Sequence, residues 1–358
     1  MYLLLYPLKF KPVYKDYIWG GRNLQSLGKK LPAGIVAESW ELSCHPDGMS
    51  IVNNGAYKNR TLQSLIDEFG SKILGSLAGA KINKFPLLVK LIDANSKLSV
   101  QVHPDDDFAL INENEYGKNE MWYIIDAKEG ASLIYDVKSG VTRESFKKAV
   151  LDNKVEESLG VLPVKAGDFI NIPAGVVHAI GEGIVLAEIQ QNSNTTYRLY
   201  DYNRKDVNGN LRPLHIEKAL KVVNFDTKSR KLKYKGIDYN LSRGSNAKIL
   251  AANPYYCVEL FMISDLIQQN TYGKQFHIYV CVEGTGHINW ANESISLQRG
   301  ETVLVPSSLD NYSIEGELKA LKAYVPDIDI DILKRLQAMG FSKLEIVENI
   351  GGLAPYIV

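Results

Sequence analysis

The sequence predicts a mainly β protein built as two related barrels in tandem, with α-helices decorating the sheets. Short runs rich in β-branched and aromatic residues recur along the chain, among them FPLLVKLI, KLSVQVH, EMWYIID, FHIYVCVE, ESISLQ and ETVLVP, with Gly, Asn, Asp or Lys turns between them. Residues 167–180, GDFINIPAGVVHAI, and residues 300–314, GETVLVPSSLDNYSI, both carry a glycine, five residues and then a proline. Upstream, EMWYIIDAKEG from 120 parallels FHIYVCVEGTG from 276, and a repeat of this kind is read before any single element.

The helices come next. TLQSLIDEFGSKILGSLA, TRESFKKAVLDN and the tail DIDILKRLQAMGFSKLEIVENI space their apolar residues at helical intervals, and TRESFKKAVLDN falls between the two matching pieces of the first repeat. With 358 residues, each unit is long enough to bury its own core. The polar, lysine-rich stretch NFDTKSRKLKYKGIDY is the candidate junction, which divides the chain into 1–230, carrying the helical insertions, and 231–358, a degenerate second barrel ending in a helix.

Composition narrows the function classes. Apolar residues are 45% and charged residues 23%, the balance of a folded globular chain. Lys+Arg and Asp+Glu both total 41, so no global field gathers nucleic acid or an anionic membrane, and an anionic small molecule would need a local cluster. Three cysteines form no framework, and MYLLLYPLKFKP lacks a basic leader and a small-residue cleavage site, so the expectation is a cytoplasmic chain with free thiols.

The sharpest local pattern is Gly167-x5-Pro173-x-Gly175-x2-His178, a strand, a tight turn and a second strand opening on histidine. Gln101 and His103 stand two apart on a predicted strand, which sends both side chains to one face, and Glu120 follows. Two imidazoles, one carboxylate and an amide oxygen suit a catalytic zinc with an open position; the same set suits non-haem iron. Taken singly, a strand histidine is more often packed than ligating, and Lys118 or Arg198 alone reads as a turn lysine or a stacked surface arginine. The repeat supplies a contrast, since it places Phe276 opposite Glu120 and Asn311 opposite His178, with His277 and His287 outside the ligand slots.

The histidine motif resembles the second motif of the cupin superfamily, whose fold is a jelly-roll barrel with a metal inside, although Glu182 stands where that motif has asparagine. AESWELSCHP, FPLLVKLIDANSKLSVQVHPDD, GKNEMWYII, IPAGVVHAIGEG and LAEIQQNSNTTYR together resemble the type I mannose-6-phosphate isomerase family over most of residues 5–205. The resemblance implies one Zn²⁺ per chain held by His103, Glu120, His178 and Gln101. It implies Arg198 as the active-site arginine, Lys118 and Glu188 as competing proton carriers, and Lys90 and Ser99 as phosphate contacts. The implied reaction is interconversion of mannose 6-phosphate and fructose 6-phosphate through a zinc-stabilised cis-enediolate; a hexose phosphate is the implied partner, and no oligomeric state follows. Gly117 stands where larger members of the family have histidine. An Fe(II)-dependent cupin oxygenase and a non-catalytic sugar-phosphate-binding cupin are the alternatives.

Overall fold

Strands dominate the computed structural model, which describes residues 4–79, 84–205, 208–227 and 231–357. The first three residues of the apolar N-terminal run and residues 228–230 of the expected junction lie outside the described residues.

The named strands form three sheets, all paired antiparallel. A six-stranded sheet runs in the order Phe169–Ile172, Glu120–Ala127, Ile184–Gln191, Leu87–Ala94, Glu38–Leu42, Val13–Lys15. A five-stranded sheet runs Tyr197–Tyr200, Val100–Val102, His178–Ile180, Ser132–Val137, Leu159–Pro163. The ten-stranded sheet gathers the strands beyond residue 236 and admits two from the other end of the chain, Leu8–Lys11 against Thr302–Val305 and Ile51–Val52 beside it. None of the three strand orders closes on itself.

The six-stranded sheet is covered on both faces, which is why Leu87–Ala94 and Ile184–Gln191 are buried throughout instead of alternating. Leu87, Val89, Leu91, Ala187 and Ile189 face a core shared with Ile278, Leu304 and Leu321 of the ten-stranded sheet and with Phe276 just before its strand His277–Trp290. Ile92, Trp122, Ile124 and Leu186 face the opposite way, against Leu133, Tyr135 and Ile180 of the five-stranded sheet. Lys90, Glu120 and Glu188 have the strand parity of that second face, so period-two alternation sends three charged side chains between the two sheets.

The predicted helices are present with sharper boundaries. TLQSLIDEFGSKILGSLA forms Leu62–Phe69, capped by Thr61, and Ser71–Gly79, interrupted at Gly75, where φ is +81° and a side chain would strike the Lys274 backbone. Arg143–Leu151 begins on a capping box between Thr142 and Ser145. The tail splits into a π-helical turn Ile328–Lys334, Arg335–Ala338 and Lys343–Asn349, which pack Ile332, Leu336 and Ile346 against Ile249 and Tyr324.

The second repeat needs a correction. The ladder pairs Ile172 with Glu120 in the first copy and Val305 with His277 in the second. Since Ile172 and Val305 both precede the shared proline, the counterpart of Glu120 is His277, not Phe276. A one-residue slip reverses the face of every side chain. Phe276 points into the inter-sheet core and packs on Phe85 at 4.6 Å, whereas the buried His277 meets the Tyr312 hydroxyl through Nδ1 at 2.6 Å. Asn311 is exposed and bonded to Asn270, so the inward partner is Tyr312; a 3₁₀ turn at Ser307–Leu309 separates the proline from this strand.

Candidate metal centre and adjoining cavity

Where the five- and six-stranded sheets face one another, register brings the predicted residues together. His178 pairs with Gln101, which also lies opposite Arg198; Glu188 lies between Lys90 and Trp122, and Gln190 lies opposite Glu120. Gly175, at φ +85°, turns the chain into His178 and donates its N–H to the His103 carbonyl at 2.9 Å, which ties the histidine turn to the other histidine segment.

His103, Glu120 and His178 are 1%, 0% and 0% exposed, and their ligand atoms lie within 4.8 Å of one another, the one such cluster among the described residues. Each imidazole gives its Nδ1 proton to a carbonyl, His103 to Thr195 and His178 to Val176, both at 2.9 Å. A neutral ring bonded in this way presents a bare lone pair at Nε2. The two Nε2 atoms face each other at 3.1 Å, beside a fully buried Glu120 carboxylate whose Oε1 is paired with Lys118. Two opposed lone pairs beside a buried anion call for positive charge; the Lys118 ammonium supplies one at Glu120 and His103, and two imidazoles with a carboxylate are a donor set that fits a metal ion. The Gln101 side chain stands beside the same centre, its amide nitrogen 3.4 Å from His178 Nε2.

Electrostatics agree with that arrangement. Burial, and then the Lys118 ammonium, push His103 down to about 3, and burial also lowers His178. Burial alone would raise Glu120, but Lys118 and His103 hold it well below the usual carboxylate range. The neutral-imidazole, ionised-carboxylate state is the one a metal requires.

Lys118 places its Nζ 2.5 Å from Glu120 Oε1 and 3.2 Å from His103 Nε2. Glu188 has both oxygens engaged, Oε2 by the Trp122 indole N–H at 2.8 Å and Oε1 by Lys90 at 2.9 Å. Burial, followed by the nearby Glu120 charge, raises the Glu188 carboxyl. The same Trp122 ring sets its edge against His178, with centroids 5.4 Å apart. Lys90 also lies 3.8 Å from Glu38 and over the Trp40 ring at 5.3 Å.

A cavity of about 270 Å³ opens onto these groups, lined by Lys90, Ser99, Gln101, Lys118, Glu188 and Arg198. Six of the nine sequence-predicted site residues thus share one wall, and the other three form the adjoining cluster. Arg198 donates from Nε to the Ser99 hydroxyl at 3.4 Å and from a terminal nitrogen to the Pro213 carbonyl at 2.8 Å. Burial and the Arg212 charge lower the Arg198 guanidinium, so the two cations lie in each other's field.

Sequence reasoning missed Arg212, Glu38 and Asn194, which also line the cavity. Arg212 lies in an irregular stretch and is aimed by Asp201, whose oxygens accept from its Nε at 2.7 Å and its terminal nitrogen at 2.5 Å. Glu38 left a signal in ESWEL, an acid inside a run buried at every position. At Gly117, a Cβ would collide with the backbone of Asp105 and Asp106, so this segment has no room for the histidine of larger relatives.

The comparisons with known proteins agree with this geometry. The family described as "Phosphomannose isomerase type I, catalytic domain" matches residues 7–157, and "Mannose-6-phosphate isomerase, cupin domain" matches 232–325. The chain is 38% identical to mannose-6-phosphate isomerase ManA of Bacillus subtilis, over 89% of this chain and 99% of that one. It is 35% identical to mannose-6-phosphate isomerase of Streptococcus mutans, over 89% and 98% respectively. A crystal structure of the Bacillus subtilis mannose 6-phosphate isomerase superposes with a TM-score of 0.82 at 32% identity, covering 89% of this chain and 99% of that one. Phosphomannose isomerase variants from Salmonella typhimurium share the fold, with a TM-score of 0.75 at 15% identity over 90% of this chain and all of theirs. A mainly β chain with a cupin domain, a buried histidine and glutamate cluster and full-length relatives at this identity belongs to the type I mannose-6-phosphate isomerase family.

Proposed function

We propose that this chain interconverts mannose 6-phosphate and fructose 6-phosphate, with one zinc ion per chain held by His103, Glu120, His178 and Gln101. The opposed Nε2 lone pairs beside the buried Glu120 carboxylate, opening toward an arginine-lined cavity, carry the reading. Zinc bound there would supply Lewis-acid stabilisation of the charge that develops on the sugar oxygens.

The protein groups divide the remaining work. Arg198 and Arg212, with the Ser99 hydroxyl, are the strongest anion donors on the wall and receive the phosphate. The expectation that Lys90 also meets phosphate is not what its surroundings favour, because Glu188 and Glu38 already match its charge; it holds Glu188 in place. Lys118 is the better proton carrier of the two candidates, since Glu188 is bound at both oxygens. Ring opening falls to a group other than residue 117.

The chain reads as two cupin units in tandem, 1–230 holding the metal and 231–358 a degenerate copy in which His277 and Tyr312 fill the corresponding interior. No described helix is long and apolar enough to cross a membrane, and a cytoplasmic location suits a phosphorylated sugar substrate.

Metal analysis followed by an isomerase assay before and after chelation tests the proposal. Near-stoichiometric zinc and turnover lost on chelation, restored by zinc, are the expected result. Iron with oxygen uptake would identify an oxygenase, and tight hexose-phosphate binding without turnover a silent sensor; either overturns the proposal. Arg198→Ala should keep its zinc while kcat/KM falls roughly 10- to 100-fold, the scale of one charge-assisted hydrogen bond to phosphate. Loss of zinc from that variant would refute the division of roles.

A further inference from the structure

We propose that Glu115, braced by His45, is a positioning residue that holds the 193–195 loop against His103 and so orients that histidine toward the metal; the inference rests on the metal reading of His103. The His103 Nδ1 proton goes to the Thr195 carbonyl, while its Nε2 faces His178, Lys118 and Glu120. Thr195 belongs to no strand, because the ladder ends at Gln191 and resumes at Tyr197. Something other than sheet pairing has to hold that carbonyl still.

Glu115 does so with one oxygen. Its Oε2 accepts from the Ser193 hydroxyl at 3.0 Å, the Asn194 N–H at 3.1 Å and the Thr195 hydroxyl at 3.3 Å, three consecutive residues. Its Oε1 accepts from His45 Nε2 at 2.7 Å. The His45 tautomer is set independently, because Nδ1 accepts the Asp47 N–H at 3.1 Å, leaving the ring proton on Nε2 to be donated. Asp47 adds a second strut, accepting the Asn194 side-chain amide at 2.7 Å. The hydrogen bond from His45, with help from Asn194 and Ser193 and against burial, pulls the Glu115 carboxyl down to about 2, so it stays a charged acceptor at neutral pH.

Glu115 touches more than the loop. It lies three residues before Lys118 in a segment pinned by Gly117 N–H to Asp106 Oδ1 at 2.7 Å and Lys118 N–H to the Pro104 carbonyl at 3.0 Å. One carboxylate therefore joins the segment bearing Lys118 to the loop whose Asn194 and Thr196 line the cavity, although Glu115 itself does not line it. Partners of this kind set ring orientation and ligand basicity without meeting the ion.

The test is zinc affinity, measured on the full chain by competition with a chromophoric chelator, for the unaltered protein and for Glu115→Ala, Glu115→Gln, His45→Ala and the double alanine variant. Glu115→Ala should weaken zinc binding roughly 10- to 100-fold, the usual cost of losing an outer partner of a metal ligand. Glu115→Gln, which keeps an acceptor for the loop, should recover most of that loss. The double variant should bind about as Glu115→Ala does, because His45 acts through the carboxylate and the effects are not additive. Unaltered affinity in Glu115→Ala overturns the proposal while leaving the metal reading intact. If Glu115→Ala does not fold, His45→Ala decides, its unchanged affinity being equally fatal. A parent protein that binds no zinc defeats the metal reading, and this inference with it.

Discussion

His178→Ala should lose zinc and turnover together: bound zinc should fall from about one per chain to near zero, and kcat/KM by roughly 10³-fold or more, since a metal's Lewis-acid contribution is several kcal/mol and each 1.36 kcal/mol is tenfold. His178 is fully buried, locked by its Nδ1 bond to Val176 and the edge of Trp122, so its Nε2 cannot be replaced by a side chain swinging in. Thermal unfolding gives a second readout. Zinc at about 1,000 times its dissociation constant stabilises the native state by roughly 4 kcal/mol, and the alanine variant should show no such zinc-induced rise in Tm. Without zinc the variant should unfold near its parent, because deleting one imidazole creates a cavity but also removes a lone pair directed at His103 Nε2. Retained stoichiometric zinc with full activity would remove His178 from the centre.

How much of this was legible in the sequence depended on how local the signal is. His178 could be read because a turn and a strand start fix it within a dozen residues, and Gln101 because it lies on the strand Val100–Val102 opposite His178, with His103 one residue past that strand's end. The second repeat was misread by one position, since FHIYVCVE is apolar on both faces and alternation does not choose between Phe276 and His277; only the ladder to Thr302–Val305 does. The entry of Leu8–Lys11 into the sheet of the distant C-terminal half is a pairing over nearly the whole chain, and no periodicity encodes it. The same holds for Glu38 and the His45–Glu115 pair, each defined by a partner far away in sequence, whereas Arg212 is aimed by the nearby Asp201 from a stretch with no periodicity to read. Lys90 shows the converse limit. The resemblance implies a phosphate contact for it, and the two carboxylates that pair with it are visible only in three dimensions.

Lys118→Met should separate metal binding from proton transfer. The ammonium lies within contact of both Glu120 and His103, so it competes for the same anionic oxygen and lone pair that a metal needs. Removing its charge at similar side-chain volume should leave zinc affinity unchanged or tighter. Turnover should nevertheless fall roughly 10²- to 10⁴-fold, the range a positioned general acid or base contributes. Glu188→Gln is the informative partner. It leaves an acceptor for the Trp122 indole but removes the negative charge opposite Lys90, which is then left buried beside Glu38 alone. Its main cost should be in stability, with a smaller loss of kcat than Lys118→Met. If instead Lys118→Met retains near-parent kcat and Glu188→Gln abolishes it, the proton moves through the glutamate, and its hold on Trp122 or Lys90 must loosen when sugar enters the cavity. The contrast between the two variants assigns the proton carrier because both side chains line one cavity while only the lysine touches the metal cluster.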